Sequence, residues 1–315
     1  MNSSNAPLVT VVTPVYNGES YLVECIESVL RQTYANWDYL IVNNCSTDRT
    51  LEIANRYAAA HPRIRVITNT TFVDVIANHN IACRLISPES RYGKVLQADD
   101  WLYPECLSEM VAVAEEDPRV GIVGSYVLHG NFVRCDGLPY PSTVISGKEI
   151  CRLSLLGRLH TFLSPTALLI RADLLRSRKE YYVEGHLHAD VESCYQTLRD
   201  ADFGFVHKVL AFVRRHERSL TSSHAVRFNL LELANTEMLV QYGPLYLTKE
   251  ELAGRLKKQL RRYYDSLAYS FYRSRERSRI WEQHAARMAA IGRPLSLFAL
   301  ARGLLRGAFT RLAKI

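Results

Sequence analysis

Along the first hundred residues, apolar positions follow two alternating rhythms. Short β-rich runs, "LVTVVTP" (Leu8–Pro14), "WDYLIVNN" (Trp37–Asn44), "RIRVIT" (Arg63–Thr68) and "YGKVLQADD" (Tyr92–Asp100), read as strands, the first closed by Pro14. Between them the period lengthens. "SYLVECIESVL" sets Tyr21, Leu22, Cys25, Ile26, Val29 and Leu30 on one helical face, a second helix opens at Ser46 or Asp48, and a third segment surrounds "VIANHNIACRLI". Alternation at this spacing predicts an α/β domain of parallel βαβ units, whose ligands lie beyond the carboxyl ends of the strands. Pro14, Asn43-Asn44 and Asp99-Asp100 sit at such ends. After "RVGIVGSYVL" the pattern loosens into loops ("NFVRCDGLPYPSTVISG"). Strand-like "PTALLIR", a helix from about Asp190 and strand-like "FGFVHKVLAFVRRH" then close the domain near Ser222. Three regions result: an α/β domain over 1–222, a helical region over 223–292 and a basic tail over 293–315.

Composition narrows the class. With 315 residues, 48% hydrophobic and 23% charged, the chain has material for a sizeable core. The net charge of +7 hides an asymmetry, because residues 255–315 hold fifteen Lys/Arg against three Asp/Glu, +12, leaving −5 for the rest. The polar opening "MNSSNAP" lacks the charged-then-apolar layout of a secretion signal, and no run of eighteen apolar residues exists. Seven cysteines without a C-x-x-C pair read as thiols kept reduced in a cytoplasm.

The chemistry concentrates at "LQADDW". Two adjacent carboxylates at the mouth of a buried strand repel one another, so a cation beside them is the expected partner. The competing reading is that Asp99-Asp100 caps the next helix, with Pro104 in its first turn.

These segments resemble a known family. "VTVVTPVYNGESYLVECIESVLRQTYANWDYLIVNNCSTDRT", with T-P-x-Y-N at a strand end, E-S-V-L-x-Q in a helix and S-T-D-x-T after a second strand, is similar to the opening of the family 2 glycosyltransferases, and the resemblance runs over about residues 7–222. It implies a GT-A fold with a helical C-terminal appendage, a nucleotide-diphospho-sugar donor carrying UDP or dTDP, a divalent cation (Mn2+ or Mg2+) and inversion at the anomeric carbon. It places Pro14, Tyr16, Asn17 and Glu19 in the nucleotide-facing first loop. Asn44 stands where many relatives carry a base-contacting Asp; turn chemistry is the other reading of Asn43-Asn44. The family's D-x-D-D motif appears with Gln97 in its first acidic place, which makes Asp100 the expected metal ligand and Asp99 a contact to ribose or sugar hydroxyls. In the A-R-N-like segment, Asn80 is expected near the donor, and His79, in the Arg place, reads as a solvent-facing helix residue.

An inverting transfer needs a base for the acceptor hydroxyl. "EGHLHADVESCYQTL" resembles the family's E-D segment with Ala189 replacing Glu, so Asp190 matches the base; as an alternative, Asp190 is only a helix cap and Glu192 a surface residue. "VRRHERSLT" resembles the R-x-H motif, placing Arg214 beside the diphosphate and His216 on the metal.

The tail repeats apolar residues at helical spacing, Phe298, Ala301, Leu305, Phe309 and Leu312, flanked by Arg302, Arg306, Arg311 and Lys314. Such a helix suits an anionic membrane surface or packs on the protein. No nucleic-acid motif accompanies the charge. The expectation is a cytoplasmic glycosyltransferase, peripheral at the inner face of the plasma membrane, acting on a glycan or lipid-linked acceptor. A sugar-nucleotide nucleotidyltransferase would carry a Gly-rich loop after the first strand, where "TPVYNGES" has one glycine; a silent binding subunit would lack the acidic residues.

Overall fold

A computed structural model of the chain describes residues 6–135, 138–215 and 228–312. These fall into two compact units, residues 1–185 with 189–215 and residues 186–188 with 216–315.

The first unit runs β1 (Val9–Val15), α1 (Leu22–Leu30), β2 (Trp37–Asn43), α2 (Thr50–Ala60), β3 (Ile64–Thr68), α3 (Val75–Arg84), β4 (Tyr92–Val95), β5 (Trp101–Leu102), α4 (Cys106–Ala114), β6 (Val120–His129), β7 (Phe132–Arg134), β8 (Val144–Ile145), α5 (Gly147–Leu155), a 3-10 turn at Pro165–Ala167, β9 (Leu168–Arg171), α6 (Ala172–Arg176), α7 (Ala189–Thr197) and β10 (Asp202–Val213). One mixed sheet carries the strands in the order β3-β2-β1-β4-β9-β6-β10-β5, with β7 on β6 and β8 on β10. The β3-β2-β1-β4 half is parallel, as the alternation predicts. Antiparallel β9 then joins β4 to β6, so the sheet becomes mixed where the periodicity loosens.

Strand β1 is buried throughout, hence its nearly continuous apolar run. Its two threonines are satisfied by side chains, Thr10 donating to Asp38 (2.6 Å) and Thr13 pairing with the Tyr39 hydroxyl (2.8 Å). Pro14 does not close the strand; it is buried inside it, in register with Val42. A proline there removes one N–H from a ladder that continues to Val15. Among the described residues no disulfide joins the seven cysteines.

The second unit is helical: α8 (Leu230–Tyr246), α9 (Lys249–Arg273), α10 (Arg277–Ala290) and α11 (Leu297–Leu312). Leu233, Tyr263, Leu267, Ile280, Met288 and Leu300 form its core. A capping box starts α9, with Thr248 accepting from the Glu251 N–H (3.2 Å) and Glu251 from the Thr248 N–H (3.1 Å). His284 is fully buried between the Tyr263 hydroxyl (2.8 Å from Nδ1) and the Phe228 carbonyl (2.9 Å from Nε2). The carbonyl only accepts, so Nε2 carries the proton and Nδ1 accepts from Tyr263. Helix α11 lies on α9, where a Cβ on Gly303 would come within 2.7 Å of the Tyr264 carbonyl oxygen and Arg306 Nε donates to Asp265 (2.7 Å).

Candidate active site

The acidic turn follows β4. Asp100 is 1% exposed, its Oδ2 accepting from the Thr166 hydroxyl (2.6 Å) and its Oδ1 from the Arg214 backbone N–H (2.9 Å). Burial, reinforced by the neighbouring Asp99 charge, pushes its pKa up to about 7 against the pull of those hydrogen bonds. Thr166 is a junction: it also accepts from the Gln97 N–H (3.2 Å), and its carbonyl receives the ammonium of Lys94 (2.7 Å), a fully buried lysine whose pKa burial lowers. Asp99 is the more exposed of the two carboxylates. Asp100, expected to face a metal, has both carboxylate oxygens hydrogen-bonded to the protein, and Asp99 holds the more exposed place.

Arg214 is also turned to the protein. Its Nε donates to the Asp99 carbonyl (2.9 Å), its guanidinium pairs with Glu24 and lies 4.6 Å from the Tyr21 ring centre. It holds the acidic turn against α1, where a diphosphate contact was expected. His216 lies outside the described residues.

The loops after β1 and β2 are knitted together. Asn17, in left-handed backbone (φ 50°), donates its N–H to Ser46 (3.0 Å) and accepts from the Thr47 N–H (2.8 Å). Glu19 accepts from the Arg49 N–H (2.9 Å) while its own N–H goes to Asp48 (3.1 Å). So Asn17 and Glu19 shape the rim, and Tyr16 projects from it, 47% exposed. Sequence reasoning missed its neighbour Phe72, 57% exposed and edge-on to Tyr16 at 4.9 Å. An aromatic residue inside the polar stretch "TNTTFVD" was the available signal.

Two asparagines expected at the donor are hydrogen-bonded to backbone groups. Asn44 is buried, its Nδ2 donating to the Val73 carbonyl (2.7 Å) and its Oδ1 accepting from the Val73 N–H (3.1 Å) and from Asn69 (3.0 Å). Asn80 does the same to Tyr182, donating to its carbonyl (2.8 Å) and accepting from its N–H (2.9 Å). Each amide mimics a strand neighbour, so neither side chain is aimed outward. His79 is buried as well, contrary to the solvent-facing expectation; Nδ1–H donates to the Val75 carbonyl (2.8 Å), the ring stands edge-on to Tyr182, and burial lowers its pKa. The physical reason is shared: α3 presents Asn78, His79 and Asn80 to the protein, not to solvent.

Asp190 lies in the first turn of α7, half-buried, with Oδ1 accepting from the Val191 N–H (2.9 Å). A helix start favours a negative charge there. Glu192, read as a surface residue if Asp190 were a cap, is buried.

Could these residues hold a divalent cation? Among the described residues no group of three or more His, Cys, Asp or Glu is arranged to do so. A hard cation such as Mg2+ is usually held by one or two carboxylates with the remaining oxygens from phosphates and water. Half-exposed Asp99, next to a carboxylate whose pKa its charge raises, fits that demand; an all-protein cage is absent among the described residues.

The sequence pattern of Glycosyl transferase family 2 matches residues 10–178, more than half the chain. The chain belongs to glycosyl transferase family 2. The chondroitin synthase of Escherichia coli is 37% identical over 107 residues, covering 33% of this chain and 15% of the synthase. The chain spans 13% to 59% of the length of the first curated relatives it matches. Among solved structures, S. aureus TarS 1-349 with UDP-GlcNAc superposes with a TM-score of 0.66 at 19% identity, over 90% of this chain and 81% of that one. Mannosyltransferase PcManGT from Pyrobaculum calidifontis, with GDP-Man and Mn2+, gives 0.52 at 19% identity, over 98% and 82%. The fold is therefore the GT-A type with a helical C-terminal region, as the resemblance implied. Among the described residues no helix is long and apolar enough to cross a membrane.

Proposed function

We propose that this glycosyltransferase moves a sugar, with inversion, from a nucleoside-diphosphate donor to a hydroxyl of a glycan acceptor in polysaccharide synthesis. The carrying observation is the acidic turn itself: half-exposed Asp99 beside buried Asp100 at a carboxyl end of the parallel sheet half. UDP or dTDP is the proposed nucleotide, and the polysaccharide relative and UDP-GlcNAc-bound neighbour support this reading. Tyr16 and Phe72 offer faces to the base, while Asn17 and Glu19 fix the loop beside it. Asp99 would hold the cation, a reassignment from Asp100, which with Thr166 and Arg214 keeps the turn in place. Such a cation, when bound, would lower the cost of charge developing on the leaving diphosphate. Asp190 takes the proton of the attacking hydroxyl, and the helix start beneath it favours the charged base. We further place the enzyme on the cytoplasmic face of the plasma membrane, where a lipid-linked glycan would be presented, with the basic C-terminal tail as the contact.

A screen of nucleotide-sugars for Mn2+-dependent hydrolysis and transfer tests this. Release of nucleoside diphosphate from one donor, abolished by chelation, is the expected result. Binding without turnover would indicate a silent binding subunit, and release of pyrophosphate from a nucleoside triphosphate and a sugar phosphate would indicate a nucleotidyltransferase; either overturns the proposal.

A further inference from the structure

The sequence left α11 with two alternatives, a membrane-facing tail or a helix packed on the protein. Its faces divide the two roles. Leu300 and Gly303 are buried toward α9, and Arg306 is tied to Asp265. Turned away from that seam, Leu297, Phe298, Ala301, Leu304 and Leu305 are all exposed, Phe298 by 72% and Leu305 by 60%. At 100° per residue these five span one continuous arc of the helix. Arg302 borders the arc, its guanidinium 5.7 Å from the Phe298 ring centre, and Arg293 is exposed just before the helix.

An apolar arc left in water on a helix already docked by its other side is what an interaction surface requires. Two occupants compete, a second copy of this chain and a lipid surface. A two-fold contact through this arc would bring Arg293 and Arg302 of both copies to one interface, and like charges gathered there oppose association. The segment that carries the arc, residues 255–315, has a net charge of +12 and instead complements an anionic surface.

We propose that the outward face of α11 is a preformed membrane foot. The apolar arc enters the interface of an anionic bilayer, and Arg293 and Arg302 stay at the headgroups. This rests on the peripheral placement proposed above and adds to it that the helix is folded and docked before it meets lipid. The surface recognises negative headgroup charge plus accessible acyl chains, not a particular headgroup.

The test uses the full chain with phosphatidylglycerol/phosphatidylcholine vesicles, phosphatidylcholine vesicles and no vesicles. The protein should float with the anionic vesicles, less so in high salt, and remain behind with phosphatidylcholine alone. The double variant Phe298→Glu with Leu305→Glu, at positions already in solvent, should keep its melting temperature and vesicle-free donor turnover but lose about a hundredfold in partitioning. Arg302→Glu should lose about fivefold or more. Helical content by circular dichroism should not change on adding vesicles. Equal flotation of wild type and double variant overturns the proposal. So does a rise in helicity on binding, since the foot would then fold on the membrane, or a wild-type dimer in sedimentation that the double variant dissolves. Vesicle-free turnover is read separately, so failure of the glycosyltransferase reading leaves a different signature from failure of the foot.

Discussion

The two units use their unusual residues in opposite directions. In the sheet unit, polar side chains after strands and on α3 turn inward: Asn44 onto Val73, Asn80 onto Tyr182, Asp100 onto Thr166 and Arg214. In the helical unit, apolar side chains turn outward along α11. Burying a polar group is tolerable only when hydrogen bonds are returned, and each inward residue has at least two. Leaving apolar groups in water is tolerable in small numbers, but an ordered arc of them on a docked helix has no packing benefit. The contrast separates residues that build a site from residues that meet something beyond the protein.

The sharpest way to break this contrast is at Asp190, which we place among the outward-acting groups. Asp190→Asn should slow transfer by about 10²–10⁴ while leaving donor affinity by calorimetry unchanged. Wild-type transfer in that variant would return Asp190 to the status of a helix cap.

Next comes the adjacent acidic pair. Asp100→Ala leaves the Thr166 hydroxyl and the Arg214 N–H without their acceptor, and chemical denaturation should show a loss of about 1–3 kcal/mol. Asp99→Ala should change stability by no more than about 0.5 kcal/mol yet remove the Mn2+ dependence of donor binding. The reverse pattern would restore Asp100 as the ligand.

A further variant addresses α11. Gly303→Ala puts a methyl 2.7 Å from the Tyr264 carbonyl oxygen, and the misfit should cost about 1–3 kcal/mol in the helical unit, read by Trp281 fluorescence. The same seam means that deleting the tail removes Leu300 from the core; charge-reversal on the outward face is therefore the cleaner way to separate lipid contact from folding.

The smallest effect is a pH dependence. His284 is held neutral, its pKa lowered from 6.5 chiefly by burial, with Arg287 adding to the depression and the Phe228 carbonyl and Glu237 opposing it. Below pH 6.5 the unfolded chain takes up a proton that the folded form resists, so stability falls as pH drops from there through the folded value. The loss should be about 1 kcal/mol per pH unit or less and should flatten in His284→Gln. An unaltered slope in that variant would assign the acid sensitivity elsewhere.

The sequence was most informative where one residue's pattern implied one environment. The β1–β4 alternation, the helical face of α1 and the acidic turn at the end of β4 were all readable, because burial on both faces of a parallel sheet leaves a direct imprint on composition. Direction was not readable. An asparagine that contacts a nucleotide and one that clamps a peptide unit are the same letter, so the backbone clamps of Asn44 and Asn80 could not be read from the sequence, nor could the bond between Asp100 and Thr166, 66 residues downstream. Lys94 illustrates the same limit: nothing local announces that its ammonium ends on the Thr166 carbonyl. Nor does Phe72 announce that a loop will bring it to Tyr16.

The paired amide clamps also bear on time. Because Asn44 grips both the N–H and the carbonyl of Val73, the loop beside Phe72 is held in place by the protein's own hydrogen bonds. Asn80 does the same for Tyr182. Encounter with a nucleotide then needs no prior ordering of these segments. On the donor contact proposed for Tyr16 and Phe72, association in stopped-flow mixing should be a single exponential whose rate rises linearly with donor concentration, and Asn44→Ala should introduce a slower phase that saturates.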